Sequence, residues 1–163
     1  NTVGPRQRGR YGMVVPRFVE QAASGKPITV FGDGHQTRSF CDVRDTVVAL
    51  DAVADKATSD GLVINVGNDR EISMNALAAL INDRAGGHSV IAHQPYREAY
   101  GEDFEDIRRR RPDLARLRSL TGFVHRYTLE QTVDDLLALR RTTEEETPDG
   151  HGAVVRSWPQ HAA

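Results

Sequence analysis

The stretch ITVFGDGHQTRSF, residues 28–40, flanks a Gly32-Asp33-Gly34 turn with two β-favouring runs and sets Arg38 early in the second run. An arginine held on a strand beside a glycine turn has a fixed position and a planar fork of donors. That suits a phosphate or pyrophosphate oxygen. If the first run lies at a sheet edge, the backbone of Thr29, Val30 and Phe31 can read a flat ring by hydrogen bonds while Phe31 packs beside it. The same spacing also fits a plain hairpin whose arginine pairs with Asp33 or Asp45, and the residues alone leave both readings open.

Three further features carry chemistry. The run RRRR, 108–111, can be a solvated face paired with the preceding EDFED, an anion site or a nucleic-acid contact; no aromatic interleaving supports the last. NTVGPRQRGR places Arg6, Arg8 and Arg10 around a Gly-Pro turn. Asn65 ends the apolar run LVINVG, where α/β ligand sites cluster; a turn-forming amide is its plainer reading. Cys41, beside Phe40, reads as a small core residue with no activating partner. No Ser-His-Asp order, Walker A loop or GxGxxG motif is present, so no catalytic residue is assigned.

The bulk properties bound these readings. The chain has 163 residues, 39% hydrophobic and 27% charged, with a net charge of −2. This suits one soluble globular domain and gives no global field for nucleic acid. No run of eighteen apolar residues predicts a membrane helix, and no signal peptide is visible. A single cysteine excludes an intramolecular disulfide and fits a reducing cytosol, so a cytoplasmic protein is expected. Six histidines show no metal-ligand spacing. The chain opens on Asn1 in a turn-like segment, and a piece of a longer protein is expected.

The elements that must position these residues follow from periodicity and capping. Val14, Val15, Phe18, Val19 and Ala22 predict a helix over 13–24 with Pro16 in its first turn and Gly25 as its stop. Strands are expected at 28–31 and 37–41. Asp42 caps the next helix, Asp45 adds charge to its first turn, and Val43, Val47, Leu50 and Ala54 share its expected inner face. Residues 62–67 predict a buried strand. Ser73 caps a helix with Met74, Leu77 and Ile81 inward, stopped by Gly86-Gly87. SVIAH reads as a short strand, 94–111 as irregular, and 113–121 as a helix with Leu114, Leu117 and Leu120 inside. TLEQ, 128–131, is a capping box ahead of Leu129, Val133, Leu136 and Leu137. Residues 1–141 are expected to fold and 142–163 to form a disordered tail.

Three segments in this order, residues 1–50, VINVGNDREISMNALAALI and YGEDFEDIRRRRPDLARLRSLTGF, resemble the extended short-chain dehydrogenase/reductase family that acts on nucleotide sugars. Its members include UDP-glucose 4-epimerases, UDP-glucuronate decarboxylases and dTDP-glucose 4,6-dehydratases. The resemblance implies an α/β fold, the C-terminal substrate-binding part of a Rossmann-type enzyme whose dinucleotide-binding half is missing. It implies that Arg38 grips the pyrophosphate and that Thr29, Val30 and Phe31 line the base pocket. Asn1 would contact the sugar or its phosphate, Met13 and Val14 the diphosphate and ribose, Asn65 the base, and Arg110 a second phosphate. Thr2 and Arg6 would lie near the nicotinamide of NAD. The family's Tyr-x-x-x-Lys pair is absent: Tyr11, Tyr96, Tyr100 and Tyr127 have no lysine four residues on.

The expected function is therefore that of an NAD-dependent nucleotide-sugar epimerase/dehydratase seen through its UDP-sugar pocket, with 4-epimerisation of a UDP-hexose favoured and UDP-glucuronate decarboxylation as runner-up. The longer protein would be a homodimer, with neither nucleic acid nor membrane as a partner. The rival readings are a non-catalytic nucleotide-sugar-binding remnant and an arginine-driven nucleic-acid binder.

Overall fold

The computed structural model describes residues 1–7, 13–101 and 106–145. Arg8, Arg10 and residues 146–163 of the expected tail lie outside them. In chain order the elements are β1 (Thr2–Val3), α1 (Val14–Ala23), β2 (Ile28–Phe31), β3 (Thr37–Ser39), β4 (Cys41–Asp42) and α2 (Val43–Ala54). A single 3-10 turn, Ala57–Ser59, leads to β5 (Glu71–Ser73), α3 (Met74–Arg84), β6 (Ile91–Gln94) and α4 (Tyr96–Tyr100). The chain continues through β7 (Arg109–Arg110), α5 (Ala115–Thr121) and α6 (Leu129–Glu145). This is the α/β class expected.

The helices form where spacing and caps dictate. Val15, Phe18, Val19 and Ala22 are buried along one face of α1, the i, i+3, i+4, i+7 stripe of an amphipathic helix. Gly25 follows in the left-handed region, φ +63°, which a side chain would resist. The Ser73 hydroxyl accepts from the Ala76 amide at the start of α3. The capping box of α6 closes both ways: the Gln131 amide donates to Thr128 Oγ1 at 3.2 Å and the Thr128 amide to Gln131 Oε1 at 2.9 Å. α6 then runs to Glu145, past the expected boundary at 141.

The main core joins α1, α3 and α6 over β2, through Phe18, Ile28, Val30, Leu77, Ile81 and Val133. β2 pairs in parallel with β6, Ile28 opposite Ile91 and Phe31 opposite Gln94. β3 is the centre of a three-stranded sheet, antiparallel to β5 and parallel to β7. The expected 37–41 strand divides at Phe40, because β3 belongs to that sheet while β4 pairs with β1. A second core of Ala49, Leu114, Leu117 and Phe123 lies under α2 and α5.

Two expectations need correction. Val47 and Leu50 are exposed, whereas Asp45 and Ala49 face inward. The Asp45 carboxylate accepts from the amides of Arg126 and Tyr127, and this anchor turns α2 so that its 45/49 side is inside. The run 62–67 forms no strand, and Val63 is 82% exposed. It is apolar enough to pair, but no strand of the described residues pairs with it.

Ion pairs lock the three-stranded sheet. Glu71 on β5 receives Arg109 of β7 at 2.6 Å and the Thr37 hydroxyl of β3 at 2.8 Å, so one carboxylate ties all three strands. The Arg109 guanidinium and the Thr37 hydroxyl hold the Glu71 carboxyl down to about 2, and Arg70 does the same for Glu130. A depressed carboxyl contributes stability that is full above its unfolded value and is lost as pH falls through the folded one. The melting temperature is therefore expected to fall as pH drops from about 4.5 towards 2. A Glu71→Gln, Glu130→Gln double variant should lose part of that acid dependence in a pH series of melting curves.

Candidate functional site

A cavity of about 350 Å³ opens between the start of α1, the end of β2 and β3; β2 and β3 belong to different sheets, so the expected hairpin does not form. Of the residues expected to bind substrate, Asn1, Met13, Val14, Phe31, Arg38 and Arg110 line it together. Arg17, Gln36, Tyr96 and Asp106 complete its polar wall. Its size lies within the range of small-molecule sites, about 300–1,000 Å³.

Arg38 is fixed by the sheet register, opposite Ile72 of β5 and Arg110 of β7. Its guanidinium is nearly enclosed. Nη1 donates to the carbonyls of Thr37 and Ile107, each at 2.7 Å, and Nη2 donates to Asp106 Oδ1 at 2.5 Å. Its carboxylate partner is therefore Asp106, not Asp33 or Asp45. Of five guanidinium N–H groups, the Nε–H and the second Nη2–H have no acceptor among the described residues and remain for a ligand. Asp106 Oδ2 accepts from the Tyr96 hydroxyl at 2.7 Å, and Gln36 Nε2 donates to that hydroxyl at 2.6 Å and to the Phe31 carbonyl at 3.0 Å. Burial and the neighbouring Asp106 carboxylate raise the Tyr96 phenol far above its ordinary value, so Tyr96 is a donor here and no base.

Arg110 Nη2 donates to Asn1 Oδ1 at 2.5 Å, which draws a second cation to the same cavity. The remaining arginines of the run are paired: Arg108 with Asp33, Arg109 with Glu71 and Arg111 with Asp69. Their partners are distant in sequence, in place of the adjacent acidic segment expected. Of that segment only Asp106 is described, and it faces Arg38.

The first strand behaves differently from expectation. Val30 is fully buried in the main core and does not reach the cavity. The Thr29 amide donates to Gln21 Oε1 at 3.1 Å, and its carbonyl accepts from Arg17 at 3.2 Å. α1 thus occupies the edge at Thr29. Phe31 does face the cavity, with the Arg17 guanidinium 4.2 Å above its ring. Asn65 lies in a second cavity of about 330 Å³ that shares Asn1 and Arg110 with the first, and its amide donates to the Asp113 carbonyl at 3.1 Å. Thr2 lines that second cavity, whereas Arg6 lines a third one, beside Gln7 and Pro16.

Arg17, Gln36, Tyr96 and Asp106 were missed in the sequence. Arg17 had a signal, since it lies three residues after Val14 on the same helix face. Gln36 had one too, two positions before Arg38 on an extended segment. Tyr96 and Asp106 had none, because a non-local fold delivers them.

Residues 1–67 match the NAD dependent epimerase/dehydratase family, and the fold agrees along most of the chain. Over residues 1–67 the chain thus resembles that family. It is 35% identical over 147 residues to UDP-N-acetyl-alpha-D-glucosaminuronate decarboxylase of Bacillus cytotoxicus, covering 90% of this chain and 46% of that protein. It is 35% identical over 131 residues to UDP-glucuronic acid decarboxylase 1 of Xenopus tropicalis, covering 80% of this chain and 29% of that protein. Among solved structures it is similar to the UDP-glucose 4-epimerase of Thermotoga maritima with UDP-glucose. That match has a TM-score of 0.77 and 26% identity, over 88% of this chain and 44% of that one. The chain thus spans about half or less of the length of the curated relatives it matches.

Gly32 matters for the packing of this cavity. Its φ is +72°, and a Cβ there would lie 2.4 Å from the Tyr96 ring. Gly32→Ala is expected to push Tyr96 off Asp106 and to destabilise the protein by about 1–3 kcal/mol, from backbone strain and overpacking. Urea unfolding checks the energy, and the near-ultraviolet tyrosine signal checks the displacement. No helix of the described residues is long and apolar enough to cross a membrane, and no group of acidic, histidine or cysteine side chains among them could hold a metal ion.

Proposed function

We propose that this chain supplies the nucleotide-sugar side of an NAD-dependent enzyme acting on a UDP-sugar. The observation that carries the reading is one cavity into which Arg38, Arg110 and Asn1 converge beside Phe31. Arg38 holds the pyrophosphate through its two remaining N–H groups. Arg110 and Asn1 take the second phosphate and the sugar end, and Phe31, backed by Arg17, gives the base a flat wall. Met13 and Val14 close the side towards the ribose.

NAD enters through the family. Thr2 and Arg6, expected near the nicotinamide, line separate cavities, so the described residues do not by themselves form a dinucleotide cradle. The sequence also has no tyrosine with a lysine four residues on. The work of the cavity residues is binding and orientation of the nucleotide sugar.

Two reactions remain as readings. Decarboxylation of a UDP-uronate is favoured by the relatives at 35% identity, whose names are those of UDP-uronate decarboxylases. The 4-epimerisation of a UDP-hexose is favoured by the structural match to a UDP-glucose 4-epimerase. Isothermal titration of the protein with UDP-glucose and UDP-glucuronate tests both. Tighter binding of the uronate favours decarboxylation, tighter binding of the hexose favours epimerisation, and no binding of either removes the nucleotide-sugar reading. Binding without turnover when NAD is added supports a non-catalytic binding role for the chain.

A further inference from the structure

We propose that Asp106 reads a hydroxyl group lying beside the phosphate that Arg38 holds, so that the pair admits a nucleotide or nucleotide sugar and discriminates against bare pyrophosphate. The inference rests on the assignment of this cavity to a UDP-sugar and adds to it a residue that sets selectivity.

The two side chains form one donor–acceptor face. The Arg38 side chain is 12% exposed and that of Asp106 25%, and both line the same cavity. A carboxylate has room for about four hydrogen bonds. Asp106 uses Oδ1 for Arg38 and Oδ2 for Tyr96, which leaves acceptor capacity. Its position is not free to drift. Tyr96 holds it, Gln36 holds Tyr96, and Gln36 is tied to the Phe31 carbonyl at the end of β2.

A phosphate seated on the remaining N–H groups of Arg38 therefore arrives beside a fixed anion. In a partly enclosed site, like charges at this range repel strongly. A ligand hydroxyl between them removes the conflict, because it donates to the carboxylate and puts a proton where two anions would otherwise face each other. Bare pyrophosphate has no such group. A second observation points the same way: Gln36 Oε1 is buried with no hydrogen-bond partner among the described residues. An unpaired buried acceptor is costly, so the cluster is short of donors, as a reader of hydroxyl groups should be before its ligand arrives. The hydroxyl belongs either to the ribose or to the sugar, and the two give different signatures.

Titration calorimetry of the protein and of Asp106→Ala with UDP, 2′-deoxy-UDP, 3′-deoxy-UDP, UDP-glucose and pyrophosphate decides the matter. If a ribose hydroxyl is read, the wild type binds UDP about tenfold tighter than one deoxy analogue, and Asp106→Ala shrinks that ratio below about twofold. If a sugar hydroxyl is read, UDP and its deoxy analogues bind alike. UDP-glucose then gains about tenfold over UDP, and Asp106→Ala erases the gain. In either case pyrophosphate binds the variant more tightly, since Arg38 has lost its counter-ion. A residue that only positions Arg38 would behave otherwise, with every ligand weakened by one common factor in Asp106→Ala, and that result would overturn the proposal. So would discrimination that survives the substitution, or a wild type indifferent to every ligand hydroxyl. Should Asp106→Ala fail to fold by circular dichroism, Asp106→Leu, which has a similar shape and no acceptor, takes its place with the same ligands, and the same ratios support or overturn the proposal. A wild type that binds no UDP at all fails at the earlier step and removes the cavity assignment together with this inference.

Discussion

Arg38→Ala is expected to weaken UDP-sugar binding by about 2–5 kcal/mol, the usual loss when one partner of a buried, hydrogen-bonded charge pair is truncated. The side chain is 12% exposed and stands on a strand whose register is fixed on both sides. The other cations of the cavity are engaged elsewhere, Arg110 with Asn1 Oδ1 and Arg17 with the Thr29 carbonyl. Removal of Arg38 also strands the Asp106 carboxylate and the carbonyls of Thr37 and Ile107. A melting curve therefore has to accompany the titration. Arg38→Lys separates charge from geometry: a lysine restores one donor but not the fork, and affinity should recover only in part. Unchanged affinity in Arg38→Ala would take the pyrophosphate role away from this residue.

The second large effect concerns stability and leaves the cavity alone. Asp45 is fully buried, and its carboxylate accepts from the Arg126 amide at 3.0 Å and the Tyr127 amide at 3.1 Å. Asp45→Ala leaves these backbone donors without a partner. It also removes the strut between α2 and the segment that leads into α6. A loss of roughly 3 kcal/mol is expected, the sum of forfeited charge-assisted bonds and unsatisfied donors. Asp45→Asn keeps one acceptor oxygen and should lose about half as much. Chemical denaturation measures both. Asp45 does not line the cavity of Arg38 and Arg110, so the ligand affinity of the folded fraction should not change; a parallel fall in affinity would mean that α2 also shapes the cavity.

The same residue shows what the sequence could and could not reveal. A carboxylate in the first turn of a helix suggests a favourable dipole partner, and that is how Asp45 reads in one dimension. Its actual work depends on residues some eighty positions away, and no periodicity records that. The local features were legible. The stripe of α1, the Ser73 cap and the 128–131 capping box follow from neighbours within four residues, where side-chain geometry leaves little choice. The inner face of α2 was misread because Val47 and Leu50 look like core, while a buried acid and Ala49 turn the helix the other way. The 62–67 run was misread because apolar composition describes a strand's appetite for partners and not their presence.

The candidate site shows the same division. Arg38, Phe31, Asn1 and Arg110 were each marked by type and motif, and the cavity gathers them. Asp106 and Tyr96 carried no mark. Asp106 is brought in by the pairing of β3 with β7, and Tyr96 by α4, which follows β6. Val30 was marked and lies elsewhere, because side chains alternate along a strand and its neighbour Phe31 took the outward place.

The hydrogen bond between Asn1 and Arg110 spans 109 residues, and that between Arg38 and Asp106 spans 68. Contacts of such separation form only after a large loss of chain entropy, which slows folding. The proposed phosphate site therefore needs both of these distant contacts to form. During synthesis it cannot assemble until residue 110 has left the ribosome. A ligand that binds it selects molecules whose distant segments have already met, and it stabilises the whole fold by mass action. For this protein, nucleotide-sugar binding would serve as an assay of completed folding.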